Sequence, residues 1–167
     1  MNLVIDTGNT RTKLALFQGR EMVSFTSFRG MEPKPLMQFC EANPMVENAI
    51  VSTVKEYSAK IDTYLQQRYN TIFFFYQTPI PVVNRYATPA TLGKDRLAGV
   101  IGSMLLFPGT DNLVIDAGTA ITFDLLTSVG EYLGGSISPG IDMRYKALHT
   151  FTSRLPLLNA GIDAAFI

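Results

Sequence analysis

Residues 3–8 read Leu-Val-Ile-Asp-Thr-Gly, and residues 113–118 read Leu-Val-Ile-Asp-Ala-Gly. Each copy is an apolar run that ends in an acid, a small residue and a glycine. The first continues through Asn9-Thr10-Arg11-Thr12-Lys13 into Leu14–Phe17, and the second through Thr119-Ala120-Ile121-Thr122 into Phe123–Leu126. Strand, tight turn and strand make a hairpin, and glycine in such a turn lets backbone approach a ligand closely. Two such hairpins in one chain imply an α/β fold of two related lobes, each presenting a turn to phosphate groups.

The rest of the composition leaves room for that reading. Apolar residues make up 47% of the 167 positions and charged residues 17%, enough for a core and too few charges for extensive disorder. Lys plus Arg and Asp plus Glu are 14 each, so no basic stripe for nucleic acid or an anionic membrane is expected. A phosphate ligand needs only backbone N–H groups and one or two cations. Cys40 is the single cysteine, which excludes an internal disulfide and a cysteine-rich metal site. The start of the chain has no basic segment of a signal peptide, and the apolar stretches 72–76 and 99–107 are too short to span a bilayer. A cytoplasmic protein without a membrane or nucleic-acid partner is expected.

Strands are expected near 2–6, 11–17 and 20–28, then a helix from Pro33 to about 42 that buries Leu36, Phe39 and Cys40. A strand at 48–53 follows, then a helix over 56–69 with Tyr57, Ile61, Tyr64, Leu65 and Tyr69 on one face, and a buried strand at 72–76. Prolines 79, 81 and 89 mark residues 77–93 as a functional loop. A helix over 94–107 should bury Leu97, Val100, Ile101, Met104 and Leu105, with Pro108-Gly109 as the lobe boundary. The lobes are therefore expected at 1–108 and 109–167. The second holds the repeated hairpin, a strand at 131–138 and a helix from Pro139 or Gly140 to about His149, and is incomplete, leaving an unpaired sheet edge.

Neither GxxxxGK[ST] nor GxGxxG occurs, so phosphate contacts must come from the hairpins. In the first, Gly8 admits close backbone approach and Asn9, Thr10 and Thr12 offer side-chain donors. Lys13 can neutralise a phosphate oxygen, and Asp6 suits the water shell of a hard cation. In the second, Asp116 matches Asp6, Gly118 matches Gly8, Thr119 and Thr122 supply hydroxyls, and Phe123 stands at the Lys13 position. Between them lies Thr91-Leu92-Gly93-Lys94-Asp95-Arg96. Asp95 beside Arg96 reads either as a proton acceptor next to a carboxylate-gripping guanidinium, or as an acid facing the helix dipole. Tyr86 is either a substrate hydrogen-bond donor or a loop anchor. The segment Gly134–Gly140 either brings backbone to a ligand or another subunit, or simply joins strand to helix. Cys40 reads as core and His149 as a surface residue near a helix end.

Taken together and in order, DTGNTRTK (6–13), GKDR (93–96), DAGTAITFD (116–124) and GGSISPG (134–140) resemble the type III pantothenate kinases, up to about Pro156. The resemblance implies duplicated ribonuclease-H-like lobes of the actin-like ATPase kind, with mixed five-stranded sheets and an incomplete second lobe. It implies that ATP binds at Asp6, Thr7, Gly8, Asn9, Thr10, Arg11, Thr12 and Lys13, and also at Thr119. It makes Asp95 the general base, with Tyr86, Gly93, Lys94, Asp95 and Arg96 around pantothenate. Asp116 would ligate a monovalent cation, K⁺ or NH₄⁺, and Asp6 would hold Mg²⁺ through water. The family's members are homodimers whose second lobe continues further than the segment seen here. Other readings stay open: a different small-molecule kinase of the superfamily, a non-catalytic nucleotide-binding accessory protein, or an inactive fragment.

Overall fold

The computed structural model describes residues 1–54 and 59–159, whose contacts gather into two compact units. Unit 1 comprises Met1–Pro79 and Gly93–Asp95; unit 2 comprises Ile80–Leu92 and Arg96 onward.

Unit 1 is built on a five-stranded sheet. Its strands are β1 (Asn2–Thr7), β2 (Arg11–Gln18), β3 (Glu21–Arg29), β4 (Asn48–Thr53) and β5 (Asn70–Phe73), in the order β3-β2-β1-β4-β5. The first three strands form an antiparallel meander, and β4 and β5 run parallel to β1. Parallel neighbours need crossovers, and two helices provide them: α1 (Pro33–Glu41) and α2 (Ala59–Arg68). Strand alternation decides what is inside. Leu3, Ile5, Leu14, Leu16, Ala49 and Val51 form the buried row, met by Leu36 and Cys40 of α1 and by Ile61 and Leu65 of α2. The order βββαβαβ agrees with the sequence expectation. Tyr57 lies outside the described residues. The expected strand over 72–76 is shifted: β5 ends at Phe73, Phe74 is buried, and Phe75 and Tyr76 are exposed beyond the ladder.

Unit 2 holds a four-stranded sheet of β6 (Val83–Asn84), β7 (Asn112–Ala117), β8 (Ala120–Leu126) and β9 (Glu131–Pro139), in the order β6-β9-β8-β7. The expected count of five is not met among the described residues. Strands β7, β8 and β9 repeat the antiparallel meander of β1, β2 and β3, and β6 adds to β9 in parallel. β6 and a 3-10 turn at Pro89–Thr91 lie inside the segment 77–93 expected as a functional loop. Helix α3 (Lys94–Leu106) buries Leu97 and Val100, but Leu105 is exposed, contrary to expectation. Helix α4 (Ile141–Phe151) follows β9.

The repeated letters have opposite burial. In unit 1, Leu3 and Ile5 face the core, whereas their counterparts Leu113 and Ile115 are 61% and 56% exposed. Val114 instead faces α3, its Cγ1 3.5 Å from where a Cβ on Gly99 would lie. β7 is also a sheet edge, paired among the described residues with β8 alone.

The Gly134–Gly140 segment is governed by close approach. A Cβ on Gly135 would overlap the carbonyl of Phe123 on the neighbouring strand, and one on Gly140 would overlap the carbonyl of Gly118. Both demands come from the protein's own backbone. Gly135→Ala is therefore expected to destabilise the fold by about 2–4 kcal/mol, as an overpacking change that backbone cannot relieve. Gly102→Ala in α3, where a Cβ meets nothing within 4 Å, should stabilise by about 0.5–1 kcal/mol. Urea unfolding of the two variants tests the contrast, and equal midpoints would refute it.

Candidate active site

In unit 1 the ladder sets Asp6 directly opposite Lys13 and Thr7 opposite Thr12. Because side chains alternate, the charged pair lies on the face away from the core, with Lys13 Nζ 3.7 Å from Asp6 Oδ2. The threonine pair points inward and is buried. The Thr7 and Thr12 hydroxyls lie 3.2 Å apart, Thr7 Oγ1 donates to Met31 Sδ, and Thr12 Oγ1 donates to the carbonyl of Gly30. The Thr12 hydroxyl thus ties the turn to the loop after β3. Arg11 is likewise engaged, its Nη2 2.8 Å from Ser27 Oγ. Asn9 and Thr10 are exposed at the tip, and the Gly8 N–H closes the turn by donating to the Arg11 carbonyl at 3.0 Å.

Gly8 itself is informative. Its φ is not positive, and a Cβ there would come no nearer than 3.7 Å to the Arg11 carbonyl. Neither backbone conformation nor internal packing requires a glycine. The same holds at Gly118, whose nearest neighbour would be the Ala120 carbonyl at 3.9 Å.

Also in unit 1 are Gly93, Lys94 and Asp95. Lys94 Nζ donates to the Thr53 carbonyl at 3.0 Å, fastening the start of α3 to the end of β4, and lies 5.2 Å from the Phe75 ring centroid. Asp95 is exposed in the first turn of α3.

In unit 2 the second turn is one residue shorter. Residues 8–11 separate Thr7 from its partner Thr12, but only 118–120 separate Ala117 from Ile121. The residue opposite Asp116 is therefore Thr122, not Phe123, so a hydroxyl stands where the first hairpin has its lysine. Asp116 and Thr119 are exposed. The Gly140 N–H donates to the Thr119 carbonyl at 3.0 Å, bracing the turn against the start of α4. Arg144 Nε binds the Pro139 carbonyl at 2.8 Å and so fixes the β9–α4 junction.

The strongest polar cluster of unit 2 surrounds Arg96. Its Nη2 donates to Asp124 Oδ1 at 2.6 Å, and its Nε lies 3.1 Å from both carboxylate oxygens. Both side chains are buried, Asp124 at 1% exposure and Arg96 at 9%. The Tyr132 hydroxyl donates to Asp124 Oδ1 at 2.6 Å. Tyr86 stacks parallel to Tyr132 with centroids 6.3 Å apart, and the Arg96 guanidinium carbon lies 5.6 Å from the Tyr86 centroid. Hydrogen bonding to Asp124 raises the Arg96 pKa further, holding the guanidinium charged. The Nε–Nη2 edge of the Arg96 fork thus grips a carboxylate of the protein itself. Sequence reasoning missed Asp124 and Tyr132. The signal was present for Asp124: it is an acid at the inward position between Thr122 and Leu126.

Among the described residues no three His, Cys, Asp or Glu side chains converge as a metal cage. A cation here would rely on a single carboxylate, Asp6 or Asp116, with water or carbonyl oxygens completing its shell.

Burial, and next the hydrogen bond to Asp124, push the Tyr132 phenol above its ordinary value of 10.0. The neutral phenol is favoured in the folded state, so its contribution to stability is complete below pH 10 and is lost as pH rises through the folded value. Absorbance titration should show Tyr132→Phe losing one late-ionising tyrosine. Loss of an early one would contradict the buried hydrogen bond.

Comparison with known proteins identifies the family. The family model of type III pantothenate kinase matches residues 2–165. A type III pantothenate kinase of Bacteroides fragilis is 45% identical over 96% of this chain and 66% of its own length. One from Flavobacterium johnsoniae is 40% identical over 100% of this chain and 69% of its own. The chain thus spans about two thirds of the length of the curated relatives it matches. Two solved structures share the fold. One, described as a Baf family transcriptional activator from Campylobacter jejuni, has TM-score 0.55 at 22% identity, covering 99% of this chain and 68% of that one. The other, described as a 2-dehydro-3-deoxygalactonokinase protein from Sinorhizobium meliloti, has TM-score 0.51 at 13% identity, covering 90% and 56%. The mixed sheets, the paired turns and the match over residues 2–165 agree: the chain belongs to the type III pantothenate kinase family.

Proposed function

We propose that this chain carries the chemistry of an ATP-dependent pantothenate kinase, transferring the γ-phosphoryl group to the primary hydroxyl of pantothenate and yielding 4′-phosphopantothenate for coenzyme A synthesis. Beside family membership, the observation that carries the reading is the pair of Asp-x-Gly hairpin turns. Both turn glycines lack any internal steric need, which is what close approach of a ligand's phosphates would explain. The two units are then lobes of one duplicated actin-like design, a reading favoured by the shared meander of β1–β3 and β7–β9.

On this reading the first turn, Asp6 to Lys13, takes the ATP phosphates mainly through backbone N–H groups, with Lys13 neutralising charge. Thr119 contacts ATP from the second turn. Mg²⁺, held through water by Asp6, supplies charge neutralisation on the phosphates when bound. Asp116 would hold a monovalent cation, K⁺ or NH₄⁺. Tyr86, Gly93, Lys94 and Arg96 surround pantothenate, and Asp95, exposed in the first turn of α3, takes the hydroxyl proton. A bond forms between that oxygen and the γ-phosphorus while the β–γ bridging bond breaks, leaving ADP. The transition state of such transfers is loose, so positioning and charge neutralisation matter more than base strength. A cytoplasmic location, and a homodimer where the second lobe is complete, fit the family pattern.

Pantothenate-dependent ADP release is the direct test, and its absence under saturating ATP and Mg²⁺ would defeat the proposal. Asp95→Ala is expected to lower kcat by about 10²–10⁴-fold with little change in the pantothenate KM, whereas equal loss of both would make Asp95 structural. Lys13→Ala should raise the ATP KM by about tenfold and leave the pantothenate KM unchanged.

A further inference from the structure

The buried polar group behind Arg96 and Tyr86 goes beyond the residues named so far. Arg96 comes from α3 and Tyr86 from the segment after β6, yet both are held by the same two strand residues. Asp124 of β8 takes the Arg96 fork, and Tyr132 of β9 both donates to Asp124 and stacks under Tyr86.

That arrangement depends on an irregularity in the sheet. From Ala120↔Pro139 to Leu125↔Gly134 the β8–β9 ladder is regular; it then shifts, so that Leu126 pairs with Tyr132 and Leu133 is the extra residue. Side chains alternate along a strand, so a shift of one residue exchanges its faces. An unshifted ladder would turn Tyr132 to the face opposite Asp124. With the bulge, Tyr132 lies on the same face as Asp124 and Leu126, wholly buried. Gly134 makes the bulge possible at φ 91, a conformation that favours glycine. Its missing Cβ also clears the Tyr86 ring, whose Cδ2 would lie 3.0 Å away.

We infer that Asp124, Tyr132 and Gly134 form a positioning platform that fixes Arg96 and Tyr86 for the acceptor substrate, with Asp124 and Tyr132 setting the pantothenate KM without touching pantothenate. The inference rests on the kinase reading and on the roles it gives Arg96 and Tyr86. Asp124 holds the guanidinium in one orientation through three N–H···O contacts, and Tyr132 fixes the carboxylate in turn. Loosening either blurs the geometry of both substrate side chains and leaves the phosphate-binding turn of unit 1 untouched.

The test is steady-state kinetics of the full chain with ATP and pantothenate varied separately, for wild type, Asp124→Asn and Tyr132→Phe. Tyr132→Phe keeps the ring under Tyr86 and removes only the hydroxyl, so it serves if Asp124→Asn does not fold. The pantothenate KM is expected to rise by about tenfold or more in Asp124→Asn and about three- to tenfold in Tyr132→Phe, with the ATP KM within about twofold of wild type in both. An unchanged pantothenate KM in a folded variant, or parallel losses for both substrates, would overturn the platform and leave the kinase reading standing. A wild type that releases no ADP with pantothenate overturns both.

Discussion

The two-residue period of a β-strand, carried through an Asp-x-Gly turn, is the constraint on which the rest of the molecule depends. In β1 the buried positions of Leu3 and Ile5 force Asp6 outward and Thr7 inward, and the antiparallel return repeats the choice with Lys13 outward and Thr12 inward. Charge therefore collects on one side of the turn and hydroxyls lock it from the other. Burial of apolar side chains at roughly 25 cal/mol per Å² fixes this register far more firmly than the exposed Asp6–Lys13 pair, worth about 0–1 kcal/mol, could do. The ion pair is a consequence of the fold; the core row is its cause.

In unit 2 the governing contact is buried and charged. An Arg–carboxylate pair with Asp124 at 1% exposure is desolvated, and loss of one partner typically costs about 3–5 kcal/mol because the other is left charged without water. The Tyr132 hydroxyl completes the carboxylate's hydrogen bonding, which makes such a pair tolerable in a dry interior. Asp95, one residue before Arg96, is exposed. One helical turn thus carries a paired, desolvated cation next in sequence to an exposed acid.

Much of this was legible in the sequence, for identifiable reasons. The order of strands and helices in unit 1 followed from alternation and 3.6-residue periodicity, and the duplicated hairpin announced itself in repeated letters. What escaped detection depended on register or on partners distant along the chain. The shorter second turn put Thr122, rather than Phe123, opposite Asp116, a difference of one residue that no spacing count reveals. Nothing in Leu-Val-Ile-Asp says which face will be covered, so Leu113 and Ile115 lie exposed although Leu3 and Ile5 are core. The contacts of the Thr12 hydroxyl with Gly30 and Thr7 depend on partners the sequence does not pair. Tyr132 could not be paired with Asp124 without the bulge that turns it over.

The proposal that the turns at 8–11 and 118–120 each meet ATP phosphates is most directly tested by backbone amide hydrogen exchange with and without ATP and Mg²⁺. Slower exchange at residues 8–11 and also at 118–120, with β3 unaffected, is the expected result. Protection of only one turn, or of neither while ATP remains bound, would contradict it.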